Sequence, residues 1–303
     1  MQEADNYAHS DYAIKHGKNV ANFAKAKIIL AEFKKEDKIF KRLQHDFDYL
    51  KAKGYEVVGV FLQGSQNYGL ETNESDIDTK AIVLPTFDDF INNKPAVSET
   101  LILESNEHID VKDIRVMFEV LRKSNINFLE ILFTKYRLLN KKYSAMFAPL
   151  FINNERLAQW NKKSLYNSIS GMTQQKLVAL KHPYPSIIHK IEKFGYDPKQ
   201  LHHILRLFDF IHRIATKESF KNCLIASNPD YLKKVKAGLY KLDDADTMAN
   251  DFTKQVSDFK NKLLVENQYE TDDEIVEIYN TVKTEIIRKW FKEELLKTPD
   301  ILI

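Results

Sequence analysis

The stretch from Tyr55 to Leu84 constrains this 303-residue chain more than any other. Val57-Val58-Gly59-Val60-Phe61-Leu62 is a short apolar run rich in β-branched residues, and Ile77 to Leu84, closed by Pro85, is a second. Runs of this length bounded by turn residues read as buried strands. The polar loop between them opens on Gly64-Ser65-Gln66-Asn67-Tyr68-Gly69. After ten intervening residues beyond Ser65 come Asp76-Ile77-Asp78, at the start of the second run. Residues two apart in a strand share a face, so Asp76 and Asp78 project together while Ile77 enters the core.

Two neighbouring carboxylates repel and raise each other's pKa, an arrangement that becomes favourable when a cation sits between them. A hard ion such as Mg²⁺ takes one or two carboxylates plus substrate phosphates. The Gly64-Ser65 turn supplies the complement. Its glycine lets backbone approach a ligand, and its hydroxyl and N–H groups donate to anionic oxygens. An Asp-x-Asp alone is commonly a solvated turn. Joined to an apolar strand and a Gly-Ser turn, it points to a metal–nucleotide site.

The rest of the chain places this unit in a fold. The opening 50 or so residues read as two helices. The first is capped by Ser10-Asp11 and carries Val20, Phe23, Ile28, Ile29 and Phe33. The second carries Ile39, Leu43, Phe47 and Leu50 and stops at Gly54. Leu101 to Leu103 and His108 to Val111 read as two weaker strands. Helical spacing resumes at Ile114 and dominates beyond Ser144, with breaks near Pro183, Gly195-Tyr196, Asn228-Pro229 and Asp243-Asp244. Only 8 Gly and 8 Pro exclude collagen-like and turn-rich all-β architectures. The expected class is α+β. A small mixed-sheet domain with N-terminal helices occupies 1–145, and a predominantly helical domain occupies 146–303.

Charge is unevenly spread. Residues 156–241 hold 16 Lys/Arg against 5 Asp/Glu, whereas 242–303 hold 8 against 15. A basic middle segment suits a polyanionic partner and equally suits solvated helix faces. No stretch approaches the roughly 20 apolar residues that span a bilayer, and Met1 to His9 lacks the apolar core of a signal peptide. The single Cys223 excludes a disulfide framework and reads as a small buried apolar residue, so a reducing, cytoplasmic setting with no membrane partner is expected.

The basic segment contains one clear amphipathic helix. At about 100° per residue, Lys199, His203, Arg206, Arg213 and Lys217 fall within about 80° of each other, opposite Leu201, Ile204, Leu205, Phe208 and Ile211. Pro198 sits in the first turn, where its missing N–H matters least. A cationic stripe without interleaved acids repels itself and becomes favourable against a polyanion. Lys199 and Arg206 are therefore assigned to a triphosphate, with His203 as a weaker partner. Arg213 and Lys217, farther along, are candidates to meet a nucleic-acid acceptor. Lys176 reads as a surface lysine. Tyr68 either stacks on a base or packs. His182 and His189, near Pro183 and Pro185, lack metal-ligand spacing. The C-terminal stripe of Ile275, Tyr279, Val282 and Ile286 reads as core.

Gly-Ser followed by Asp-x-Asp between two strands resembles the nucleotidyltransferase superfamily typified by DNA polymerase β. That resemblance implies a third carboxylate on a later strand: Asp110, with Asp113 as second choice because its parity is wrong without a bulge. Asp110-Val111-Lys112, the helix with Phe118 and Leu121, and Asn125-Ile126-Asn127-Phe128-Leu129-Glu130-Ile131-Leu132-Phe133 look like the RNA-repair-associated (RlaP-type) polymerase-β-like enzymes of phages and bacteria. So does Tyr196-Asp197-Pro198-Lys199-Gln200-Leu201-His202-His203-Ile204-Leu205-Arg206-Leu207. The similarity covers about 55–215. Leu70 departs from it where a Thr often stands, and Lys112 replaces a second acid.

The resemblance implies transfer of a nucleoside monophosphate from an NTP such as ATP to a hydroxyl, with pyrophosphate released. Asp76, Asp78 and Asp110 would bind two Mg²⁺ or Mn²⁺ ions, and Gly64, Ser65, Lys199, His203 and Arg206 would bind the phosphates. An RNA 3′ end is the expected acceptor. A protein side chain or small molecule, as in toxin–antitoxin or defence systems, and a non-catalytic nucleotide- or RNA-binding module are the alternatives.

Overall fold

The computed structural model describes residues 20–72, 75–266 and 272–296, with side chains from Glu32 onward. Ser10-Asp11 lies outside them, as do the side chains of Val20, Phe23, Ile28 and Ile29. The protein is α+β, as expected. Among the described residues, five strands form one mixed sheet: β1 (Glu56–Leu62), β2 (Thr79–Leu84), β3 (Ser98–Ile102), β4 (His108–Asp113) and β5 (Arg137–Leu139). Their order is β3-β4-β2-β1-β5. β2 and β4 run parallel, and the other neighbouring pairs are antiparallel.

Each sheet face buries its own core, and the alternation of side chains decides which. Ile82 and Leu84 of β2 join the larger apolar cluster, shared with the helices that follow. Ala81 and Val83, with Ile109 and Val111 of β4, join a second cluster with Ile39, Leu43 and Leu50. In β1 the alternation breaks: Val57, Val60 and Leu62 face one way, Val58 and Phe61 the other. The cause is a register shift between Val57 and Gly59 against β2, a bulge that adds one residue to the strand. Gly59 is required there, since a Cβ would lie 2.8 Å from Leu139 Cδ2 and 3.2 Å from the Leu138 carbonyl.

Where two N-terminal helices were expected, the described residues form one, α1 (Val20–Ala52), ended by Gly54 at φ +89°. Its Ile39, Leu43 and Leu50 pack under the sheet, whereas Phe33 is left exposed. After the sheet strand β2 come α2 (Phe87–Ile91) and, past β4, α3 (Ile114–Arg122) and α4 (Ile126–Leu129). The helical portion contains α5 (Ser144–Ile152), α6 (Asn154–Gln159), α7 (Lys162–Ala179), α8 (Ile188–Phe194), α9 (Pro198–Ala215), α10 (Phe220–Leu224), α11 (Pro229–Lys236), α12 (Leu242–Glu266) and α13 (Asp273–Leu296).

Breaks fall near Pro183, Gly195-Tyr196 and Asn228-Pro229 as expected, whereas Asp243 and Asp244 lie in the first turn of α12 and a further break falls at 216–219. Gly195 closes α8 in the left-handed conformation, and Asn228 caps α11. α7, α9 and α12 pack together, with α11 against α9. Ile275, Tyr279, Val282 and Ile286 are core, and Cys223 is buried. α13 returns to the sheet portion: the Tyr279 hydroxyl donates to the Phe118 carbonyl, and Phe87 meets Phe291 edge-on at 5.5 Å. One apolar cluster therefore runs across residue 145.

Candidate active site

The Gly-Ser turn follows β1 directly. Gly64 has φ +81°, a left-handed value that a side chain would strain, and opens a short 3-10 turn over Ser65–Asn67. Nothing lies within 4 Å of where its Cβ would be, so the backbone is open on that side. Asn67 holds the turn in place: its amide donates to the Leu62 carbonyl at 2.8 Å and it accepts from Thr134 at 2.7 Å.

β2 begins at Thr79, so Asp76 and Asp78 stand in the approach to the strand. Ile77 between them is buried. Asp76 is exposed, and no hydrogen bond or ion pair with a described residue uses its carboxylate. Asp78 is partly exposed, and its Oδ1 lies 3.3 Å from the His108 N–H and 3.7 Å from His108 Nδ1.

Asp110 lies one strand over. It pairs in register with Lys80, two residues beyond Asp78, so all three side chains share the face turned to the helices. There Asp110 is ion-paired with Lys80 and, at 2.8 Å, with Lys112. Burial pushes the Asp110 carboxyl up, but the two ammonium groups outweigh it and hold it below its usual range. Lys80 is only 2% exposed and sits 4.2 Å from the Phe128 ring centroid. Burial lowers its pKa against the pull of Asp110. Asp113 is buried and faces the other way, capping α3 through the Arg115 N–H at 2.8 Å.

The fit of these acids to a divalent ion follows from their partners. Asp76 and Asp78 keep carboxylate oxygens for a hard cation and leave the remaining positions to phosphate and water. Asp110 is occupied by its lysines. Among the described residues, no three His, Cys, Asp or Glu side chains are grouped to hold a metal.

Helix α9 brings cations to this face. Asp197, fully buried, caps it by accepting from the Lys199 N–H at 3.1 Å. Arg206 stacks on Tyr68, its guanidinium carbon 3.9 Å from the ring centroid. Between the two halves sits Glu130, 6% exposed, in the segment after α4. Burial pushes its carboxyl up to about 8, against the pull of Arg206 and of the Gly64 N–H that donates to it. The turn, Glu130 and Arg206 thus form one contact chain. Arg206 and His203 retain some solvent access while protein surrounds most of each.

Burial depresses the His203 pKa well below its ordinary value, and His202, Lys176, Lys199 and Arg206 lower it further. Lys176 of α7 is partly buried rather than a surface lysine, and its pKa is lowered by desolvation and by Lys199. Lys236 of α11, which sequence patterning did not single out, is lowered by burial and by Lys199 and Lys190, and is drawn the other way by Asp76. Its place is set partly by His202, whose ring meets the Leu232 carbonyl at 3.0 Å.

Two members of the stripe are elsewhere. Arg213 is bound by Glu218 and Asp209 and donates to the Ile225 carbonyl at 2.6 Å, which makes it a tether for α10. Lys217 lies past the helix end at φ +67°. Tyr68 packs, 3% exposed, with its hydroxyl buried and unpartnered.

No protein-family model matches this chain, and no curated protein matches it. Among solved structures it is similar to a nucleotidyltransferase-like protein from Exiguobacterium sibiricum 255-15 at 9% identity and a TM-score of 0.28, over 82% of this chain and 79% of that one. That likeness is too slight to assign a chemistry. No helix of the described residues is long and apolar enough to cross a membrane.

Proposed function

We propose that this chain is a divalent-metal-dependent nucleotidyltransferase that moves a nucleoside monophosphate from an NTP to a hydroxyl, with an RNA 3′ end as acceptor. The observation that supports it is the juxtaposition of the open Gly64-Ser65 turn with the unpaired Asp76 on one side and Lys176, Lys199, His203, Arg206 and Lys236 on the other. The like charges of Lys176, Lys199 and Lys236 repel one another in the empty protein, and a bound polyphosphate would relieve that repulsion.

The triphosphate lies over the Gly64-Ser65 turn, where the Ser65 N–H and hydroxyl donate to it while the Gly64 N–H stays on Glu130. Lys199 and Arg206 hold the β- and γ-phosphates and stabilise the charge that develops on the leaving group. Glu130, neutral near pH 7, leaves the Arg206 charge available. Asp76 and Asp78 would hold the divalent ion, which supplies phosphate neutralisation and acidifies the attacking hydroxyl. The acceptor oxygen bonds to the α-phosphorus, the α–β bridging bond breaks in line with it, and pyrophosphate departs. Asp110 stands on the acceptor side of the same face, its charge held by Lys80 and Lys112.

The test is pyrophosphate release and label transfer with each of four labelled NTPs, in Mg²⁺ or Mn²⁺, with and without short RNAs. Transfer to RNA that requires Asp76 and Asp78 is expected. Undiminished transfer by an Asp76→Asn/Asp78→Asn protein would sink the proposal. Transfer only to protein or small-molecule acceptors would overturn the RNA assignment alone.

A further inference from the structure

We infer that α1 is a positioning element for the Asp76–Asp78 pair, acting through a buried ion network on the opposite face of the sheet. The inference rests on reading that pair as the metal-binding carboxylates. The network starts on α1, one turn apart. Arg42 Nε donates to Asp46 Oδ2 at 2.8 Å, with Asp46 wholly buried and Arg42 only 7% exposed. The same Asp46 oxygen accepts from the Thr79 hydroxyl at 2.6 Å, and Asp46 Oδ1 meets His45 Nδ1 at 3.0 Å. Arg42 Nη1 pairs with Glu107, which also accepts from Ser105 and whose Oε1 lies 3.4 Å from the Ile77 N–H.

These contacts grip the residues on either side of Asp78. Ile77 is held through its N–H by Glu107, which Arg42 of α1 holds in turn, and Thr79 is held directly to α1 by its hydroxyl. In extended chain, fixing the alternate residues on one face fixes the direction of those between them. Asp76 and Asp78 are thereby aimed at the helical cleft. The next residue after Glu107 completes the clamp: the His108 N–H reaches Asp78 Oδ1 at 3.3 Å. α1 also reaches the Gly-Ser turn, through Lys35 to the Gln66 carbonyl at 3.5 Å.

A buried ion pair is a poor way to gain stability, since apolar side chains of similar volume often serve as well or better. One donor here, Arg42 Nη2, is even buried without a partner. What the ions supply is a fixed direction for the segment they hold. Arg42, Asp46, Thr79 and Glu107 are accordingly positioning residues.

The experiment uses the full chain with Thr79→Val, which keeps shape and removes one hydroxyl, and Asp46→Asn, which keeps a hydrogen-bonding group and removes the charge. Two readouts are taken below the melting transition: amide hydrogen exchange, and Mn²⁺ affinity by water-proton relaxation. Exchange at residues 75–79 is expected to rise about tenfold while Ile82 and Val111 stay protected. Mn²⁺ affinity is expected to fall about fivefold, with the Asp76→Asn/Asp78→Asn protein as the no-site control. Unchanged exchange at 75–79 in folded Thr79→Val, or a rise spread evenly over the sheet, would overturn the inference. Wild-type Mn²⁺ affinity equal to that of the control would instead overturn the metal reading, and the exchange data would still decide whether α1 holds the segment.

Discussion

The Arg206 guanidinium carbon lies 3.9 Å from the centroid of the Tyr68 ring, so the helical part of the molecule touches the Gly-Ser turn through a cation on an aromatic face. Such contacts contribute about 0.5–1 kcal/mol when exposed and about 2 kcal/mol when desolvated. The ring matters here and the hydroxyl, buried without a partner, does not. Tyr68→Phe should leave stability unchanged or raise it by up to about 1 kcal/mol. Tyr68→Leu should cost about 1–3 kcal/mol and raise the KM for NTP. Urea denaturation and steady-state kinetics on both variants check this.

Asp76 and Asp110 should separate activity from stability. Asp76 is exposed, so Asp76→Asn should shift stability by no more than about 0.5 kcal/mol while transfer is nearly abolished. Asp110→Asn removes a counter-ion of the buried Lys80 and should cost about 2–4 kcal/mol as well as activity. Lys80→Met/Asp110→Leu should recover stability and not turnover. Thermal melts beside the label-transfer assay distinguish these outcomes.

Lys176→Met and Lys236→Met should each raise the KM for NTP by about tenfold, with a smaller change in kcat. Both side chains share their field with Lys199, and removing one relieves repulsion in the empty cleft. Neither variant should therefore lose stability. The KM of the wild type should also climb more steeply with salt than that of either variant.

The carboxyl of Glu130, raised to about 8 by burial, makes stability depend on pH in a stated direction. Between its unfolded pKa, about 4.3, and about 8, the folded protein holds a proton that the unfolded chain has lost. Its contribution is full below the unfolded value and declines as pH rises through this window. Glu130→Gln should flatten that slope, and denaturation series from pH 5 to 9 on the two proteins measure it. A wild-type slope identical to that of Glu130→Gln would reject the assignment.

The elements that sequence patterning reveals here are those with a local cause. The β-branched run of β1, the alternation in β4 and the two-faced α9 each carry a period that one segment displays alone. β5 has three residues and no period of its own; it exists because β1 offers a free edge. The bulge at Gly59 is equally silent in the sequence, because the demand for glycine comes from Leu138 and Leu139 across the strand gap. The α9 stripe shows the same limit at the site. Arg206 meets Tyr68 of the loop, whereas Arg213, on the same stripe, is consumed by Glu218 and Asp209 from its own neighbourhood.

The sequence by itself determined the α+β class and the Gly-Ser turn between two strands, because backbone propensity and side-chain alternation act over a few residues. Only the tertiary structure decided which charges meet. It set Lys80 and Lys112 on Asp110, brought Lys176 and Lys236 from separate helices to Lys199, and ran Arg42 and Asp46 beneath the acids. Coulomb energy and desolvation depend on distance in space, and that distance is a product of packing, which no local period encodes.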